Sequence, residues 1–145
     1  SQMVVLQADV RRSRDGKTLE FELFAGDMFD PGSAKIRAGM DADMQRVADA
    51  IQSISEYRPD YSVTVEGYTD DSPITTPSFP SNWELSASRA ANVVRYLVDG
   101  GLDAERLTAA GYGETRPKVP NRDDNGRPIT ENQKKNRRIV IRVEH

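Results

Sequence analysis

YSVTVEGYTDD at 61–71, a loop with three prolines, then SNWELSASRAANVVRYLV at 81–98 form the stretch whose reading decides the fold. Tyr61, Val63 and Val65 alternate with Ser62, Thr64 and Glu66, a period of two in β-favouring residues, which predicts a strand with one buried face. Gly67 ends the alternation. Ser81 and Glu84 make an S-x-x-E capping box, a device that satisfies orphan backbone N–H groups at a helix start, so Ser81 is the predicted N-cap. Stepping by four from Leu85 gives Arg89, Val93 and Leu97, with Ala90, Val94 and Val98 in the next row; this is the face toward the core. Arg89 breaks it.

A guanidinium stays charged in a protein, so an arginine covered by a core needs a partner, most often a carboxylate. Asp70, at the end of the adjoining strand, is the nearest in the chain. Two readings are open. In one, Asp70 and Arg89 form a structural ion pair, or Arg89 lies at the stripe's edge and reaches water along its aliphatic stem. In the other, the two charges are held apart and grip a ligand between them.

The residues GYTDDSPI, SNWELSASRAANVV, RLTAAGYGETRP and KNRRIVIRV resemble, in order, the signatures of the OmpA-like peptidoglycan-binding domain. Thr69, Asp70, Asn82, Leu85, Ser86, Arg89 and Ala90 match that family's T-D … N-x-x-L-S-x-x-R-A pattern, and the likeness runs from about Phe29 to Val143. Trp83 at the helix start and the long loop before it are most similar to the flagellar-motor stator branch of the family. The resemblance implies an α+β, OmpA-like fold: a βαβαβ-type mixed sheet with helices on one face, preceded by an N-terminal hairpin. It also implies a non-catalytic domain without cofactor or metal, in which Asp70 receives the ammonium and Arg89 the carboxylate of a diaminopimelate residue in the peptidoglycan stem peptide. Asn82, Arg137, Thr69 and Asp71 complete the implied site. The implied partners are peptidoglycan, a second copy in a homodimer, and a membrane-embedded ion-channel subunit reached through chain outside this sequence. The implied place is the periplasmic side of an inner-membrane parent protein; a wall-tethering outer-membrane lipoprotein is the alternative.

At 145 residues, 37% hydrophobic and 30% charged, the sequence predicts one domain with an ordinary core, residues 1–28 forming the hairpin and 29–143 the family core. A net charge of -3 leaves no broad basic footprint for nucleic acid. No cysteine is present, which excludes disulfides and thiol chemistry. No apolar run approaches the ~20 residues of a membrane span; an anchor, if the parent has one, is expected outside these residues.

Elsewhere, Val4–Arg11 and Thr18–Phe24 read as a hairpin turning at Asp15-Gly16. Met44, Val47, Ile51 and Ile54 predict a helix over about 41–55, stopped by Pro59. With the strands on either side it makes a βαβ unit whose strands are expected to be parallel, and sites in such sheets gather beyond the strands' C-terminal ends. Pro73, Pro77 and Pro80 stiffen the loop before the second helix. Leu102–Arg106 reads as a helical turn, Leu107–Gly111 as a strand, Thr130–Lys135 as a short helix capped by Thr130, and Arg138–Val143 as the last strand. NRDDNG at 121–126 partly imitates a calcium loop, but Asn121 replaces the usual first Asp and Asn132 stands where a bidentate Glu belongs, so a solvated loop is the expectation.

A hydrolase is the competing class, using two of Glu66, Asp70 and Asp71 as acid and base. Against it, Arg89 beside a carboxylate would keep it ionised rather than raise its pKa for acid work.

Overall fold

The computed structural model describes residues 9–145. Its elements are β1 (Asp9–Arg12), β2 (Thr18–Phe24), α1 (Ala25–Met28), α2 (Asp41–Tyr57), β3 (Ser62–Tyr68), α3 (Asn82–Asp99), β4 (Leu107–Gly111), α4 (Thr130–Asn136) and β5 (Arg138–Glu144). Single 3-10 turns precede α2 at Ala38–Met40 and β4 at Ala104–Arg106. The hairpin of β1 and β2 is antiparallel, and Gly16 takes the positive φ that its turn requires. The predicted first-strand residues 4–8 lie outside the described residues.

The five strands lie in the order β1-β2-β5-β3-β4. β2 and β3 each run antiparallel to β5, so they are parallel to one another, as the βαβ reading expects. They are not neighbours, because the last strand of the chain slots between them. The adjacent parallel pair is β3 and β4, joined across α3. The architecture is a mixed sheet with one helical layer, the α+β arrangement expected from the sequence.

Register assigns the two faces. Phe21, Ile141 and Val65 stand in one row and Leu19, Val143 and Val63 in the next; with Leu23 and Ile139 they meet Met44, Val47, Ala48 and Ile51 of α2 and Ala90, Val93 and Leu97 of α3 in the core. The opposite face carries Glu20, Arg142 and Thr64 in one row and Glu22, Val140 and Glu66 in another. A period of two sends alternate side chains to opposite faces, which produces this separation.

Two glycines bring α3 against the sheet closely enough to matter for the site. A Cβ on Gly67 would stand 2.3 Å from the Ser86 carbonyl oxygen, and one on Gly111 would stand 2.4 Å from the Ala87 nitrogen. No side chain fits at either contact. Ser86, fully buried, donates its hydroxyl to the Trp83 carbonyl and accepts the Gly113 N–H at 3.0 Å. The first turns of α3 are thereby clamped beside the C-terminal ends of β3 and β4.

Ser81 caps α3, its hydroxyl oxygen accepting the Trp83 N–H at 3.2 Å and its hydroxyl proton going to Glu84. The predicted capping pair forms, with the cap bond one residue nearer than in the reciprocal box. α4 differs: Ile129 is its N-cap and Thr130 its first residue, with no side-chain cap.

A cleft at the end of the third strand

β3 ends at Tyr68, and the chain beyond it is tied down residue by residue. The Tyr112 N–H donates to the Gly67 carbonyl at 3.0 Å and the Thr69 N–H to the Gly113 carbonyl at 2.9 Å, which continues the β3–β4 pairing past both strands. Asp70 follows in a fixed pose, because its Oδ1 accepts the Ser72 N–H at 2.9 Å in an Asx turn. The Asn82 side-chain amide donates to the Ser72 carbonyl at 3.0 Å, joining the proline-rich loop to the start of α3.

Arg89 lies about two turns into α3 and is 5% exposed, as its place on the core face requires. Its hydrogen bonds go to backbone and not to Asp70. Nε donates to the Ser33 carbonyl at 2.8 Å and Nη2 to the Asp30 carbonyl at 3.3 Å, while the guanidinium carbon sits 4.9 Å from the Phe29 ring centre. The segment after α1 therefore folds two carbonyls and an aromatic face onto the arginine. Burial, then the nearby Arg137 charge, pull its pKa down to about 10, with Asp70 opposing; it stays cationic at neutral pH. Nη1 has no hydrogen bond among the described residues, and no fully buried polar atom among them is unpartnered, so Nη1 keeps contact with solvent.

Asp70 pairs instead with Arg137, whose Nη1 donates to Oδ2 at 2.5 Å. A structural Asp70–Arg89 ion pair is thus replaced by an Asp70–Arg137 pair, with Arg89 held by backbone. Arg137 comes from the junction of α4 and β5, and its own carbonyl accepts the Ala25 N–H at 2.8 Å, which locks that junction to α1. Arg37 stands at the rim, on Asp30 at 2.8 Å and on the Gly26 carbonyl.

Between these groups lies a cleft of about 620 Å³ whose lining includes Thr69, Asp70, Asn82, Arg89 and Arg137. Five of the six residues picked out by resemblance are therefore brought to one concavity. Asp71 is not among them. Its Oδ1 accepts from the Gln133 amide at 2.9 Å and its Oδ2 from Arg122 Nε at 2.7 Å, so it ties the 120s loop and α4 to the end of β3. Burial pushes the Asp71 pKa up, but the hydrogen bonds from Arg122 and Gln133 outweigh it and leave the group below its ordinary value. Phe29, Arg37 and Ile74 also line the cleft and were not singled out as site residues. The F-D-P-G-S run at 29–33 reads as turn punctuation, and nothing local in it signals that its carbonyls hold a distant arginine. A second, more open concavity of about 740 Å³ lies beyond Gly32 and Thr76 and contains none of the site charges.

Glu66 belongs to the other face of the sheet, where it accepts from the Tyr68 hydroxyl at 2.9 Å and from Arg142 at 3.0 Å. The three acidic residues considered for hydrolysis are consequently in three different settings. The partial calcium pattern has another use: Asp123 Oδ1 accepts the Asn125 and Arg127 N–H groups, and Asn121 Oδ1 accepts from Asn136.

The fold and the site thus define an α+β domain, a mixed sheet with one helical layer, with a cleft at the end of β3 into which a carboxylate and an arginine face without bonding each other. Residues 28–141 match the OmpA family, and the chain belongs to it. Relatives include the uncharacterized protein YtxE of Bacillus subtilis, 34% identical over 94% of this chain and 52% of its own length. Motility protein B of Helicobacter pylori is 30% identical over 97% of this chain and 54% of its own length. The chain spans about half the length of these curated relatives. The solved periplasmic domain of H. pylori MotB superposes with a TM-score of 0.78 at 28% identity, covering 94% of this chain and 81% of that one. A structure described as the cell wall anchor of the T6SS from Pseudomonas aeruginosa gives 0.83 at 29% identity, covering 99% and 91%.

Proposed function

We propose that this domain binds the stem peptide of peptidoglycan without chemistry, as the wall anchor of a larger membrane-attached protein. The observation that carries the reading is that Asp70 and Arg89 line one cleft and are not each other's partner. A guest with an ammonium and a carboxylate on one carbon, such as the free end of diaminopimelate, brings the complementary pair. Arg presents a planar fork that suits a carboxylate, and Nη1 of Arg89 is the donor left over for it. Thr69, Asn82 and Arg137 complete the proposed contacts; Asp71 acts through Gln133 and Arg122 by fixing the loop and helix beside the cleft.

Each charge-assisted hydrogen bond contributes roughly 1.5–3 kcal/mol net, and a few of them less the cost of ordering the guest give a modest affinity. A polymeric wall and several copies in one assembly compensate through effective concentration. By the motility relatives, the parent is a flagellar stator protein whose torque reaction the wall bears; wall anchoring is common to that role and to the P. aeruginosa neighbour. A homodimer, a membrane-embedded channel partner and a position outside the inner membrane belong to the same proposal.

The test is co-sedimentation with purified peptidoglycan. Wild type pellets; folded Asp70→Asn and Arg89→Lys remain in the supernatant. Pelleting of a folded Asp70→Asn variant at the wild-type level would remove Asp70 from the site. New reducing ends or freed peptides in the same incubation would overturn the anchor reading in favour of a hydrolase.

A further inference from the structure

Charge balance in the cleft goes further than the pairing of one ammonium with one carboxylate. Three guanidiniums, of Arg37, Arg89 and Arg137, line it against one carboxylate, Asp70. Arg37 is answered at the rim by Asp30, 2.8 Å away. Within the cleft Arg137 is answered by Asp70, which leaves the surplus charge on Arg89. A guest ammonium that reaches Asp70 shares its carboxylate with the Ser72 N–H on Oδ1 and with Arg137 Nη1 on Oδ2, 2.5 Å away. Two cations on one carboxylate repel, and the one able to yield is Arg137. Its side chain is 37% exposed, whereas Arg89 is fixed by two backbone carbonyls and the Phe29 ring. A guest with a single carboxylate would then satisfy Arg89 and leave Arg137 unpaired in a partly desolvated cleft, which is costly.

We infer that the cleft is built for a guest carrying one ammonium and two carboxylates, the second carboxylate being read by Arg137 after the ammonium displaces it from Asp70. This rests on the stem-peptide reading and specifies it. In a stem peptide the second carboxylate has two sources: the chain end, where the diamino acid is the last residue, or the free carboxyl of the glutamate before it. Arg137 is thereby a specificity residue that discriminates carboxylate from carboxamide at that second position.

The experiment is a calorimetric titration of the domain with the tripeptide L-Ala-γ-D-Glu-meso-diaminopimelate and two derivatives. One is amidated at the glutamate α-carboxyl, the other at the chain-terminal carboxyl of the diamino acid. At least one amidation weakens binding about tenfold or more in wild type, and that derivative identifies the source. In Arg137→Gln the same amidation changes Kd less than about threefold, because its reader is gone. If both amidations leave the wild-type Kd within twofold while the parent tripeptide binds, the second-carboxylate inference is overturned and the wall-binding reading stands. An amidation penalty as large in Arg137→Gln as in wild type would take the role from Arg137. A folded wild-type domain that binds none of the three peptides would remove both readings. The wild-type series does not depend on the variant folding.

Discussion

Two parts of this domain bury charge, and they do it differently. On the outer face of the sheet, Arg142 reaches Glu20 at 3.1 Å and Glu66 at 3.0 Å, and Glu66 also receives the Tyr68 hydroxyl. Arg138 lies 3.8 Å over the Tyr68 ring and donates to the carbonyls of Arg116 and Asn136, while Tyr112 stacks on Tyr68 and Arg116 covers Tyr112. Burial, then the hydrogen bond to Glu66, push the Tyr68 pKa up, the mark of a closed network. At the cleft, Arg89 is as deeply covered as Arg138 and likewise donates to backbone carbonyls, but Arg138 also faces Glu22 at 3.6 Å, whereas Arg89 has no carboxylate in salt-bridge reach among the described residues and Asp70 is bonded to another arginine. Buried charge is therefore common to structure and to binding. What separates them is whether the side-chain charges have already answered one another.

The largest test of that contrast acts on both regions together. Gly67→Ala forces α3 away from β3, because the new methyl meets the Ser86 backbone, and overpacking of this kind costs about 3 kcal/mol or more. Urea denaturation should show that loss, and wall binding should fall with it because Asp70 and Arg89 sit on the two elements displaced. Next, Arg138→Ala removes a cation stacked on Tyr68 and facing Glu22, with an expected loss of about 2–3 kcal/mol in stability and wall binding unchanged. Asp70→Asn should behave in the opposite way. Stability shifts by roughly 1 kcal/mol while the affinity for a soluble stem peptide falls about ten- to a hundredfold. Equal losses of stability and equal losses of binding in the last two variants would erase the distinction.

The smallest effect is a pH dependence at the edge of the cleft. The Asp71 pKa is lowered from its ordinary 3.8 in the folded chain, since Arg122 and Gln133 outweigh burial. The stability it contributes is present above the unfolded value and is lost as pH falls through the folded one. Below about pH 4, set by the unfolded carboxylate, wild type should lose stability more steeply than Asp71→Asn. Parallel curves would show that Asp71 does not hold the 120s loop and α4 in place.

Much of this was legible in the chain. The alternation from Tyr61, the Ser81–Glu84 pair and the fourfold step through Leu85 specify β3 and α3, and the break at Arg89 in an apolar row marks the helix face that lines the cleft. Strand order was less accessible, because β5 pairs with β2 across more than a hundred residues and nothing in its local pattern says that it lies between β2 and β3. α1 escaped notice since four residues are too few for a helical period. The Asp70–Arg137 bond joins residues 67 positions apart, so proximity in the chain nominated Arg89 instead. Adjacency misled again at Asp71: the chain bends there, just past the end of β3, and the second aspartate turns toward Arg122 and Gln133 rather than the cleft.

The most direct test of opposite charges gripping one guest is a pair of calorimetric titrations of the wild-type domain. One uses the diaminopimelate tripeptide, the other the same tripeptide with lysine in place of diaminopimelate, which keeps the ammonium and deletes the carboxylate beside it. If Arg89 receives that carboxylate, the lysine peptide binds at least about tenfold more weakly, and Arg89→Lys narrows the gap. Equal affinity for the two peptides would contradict the account.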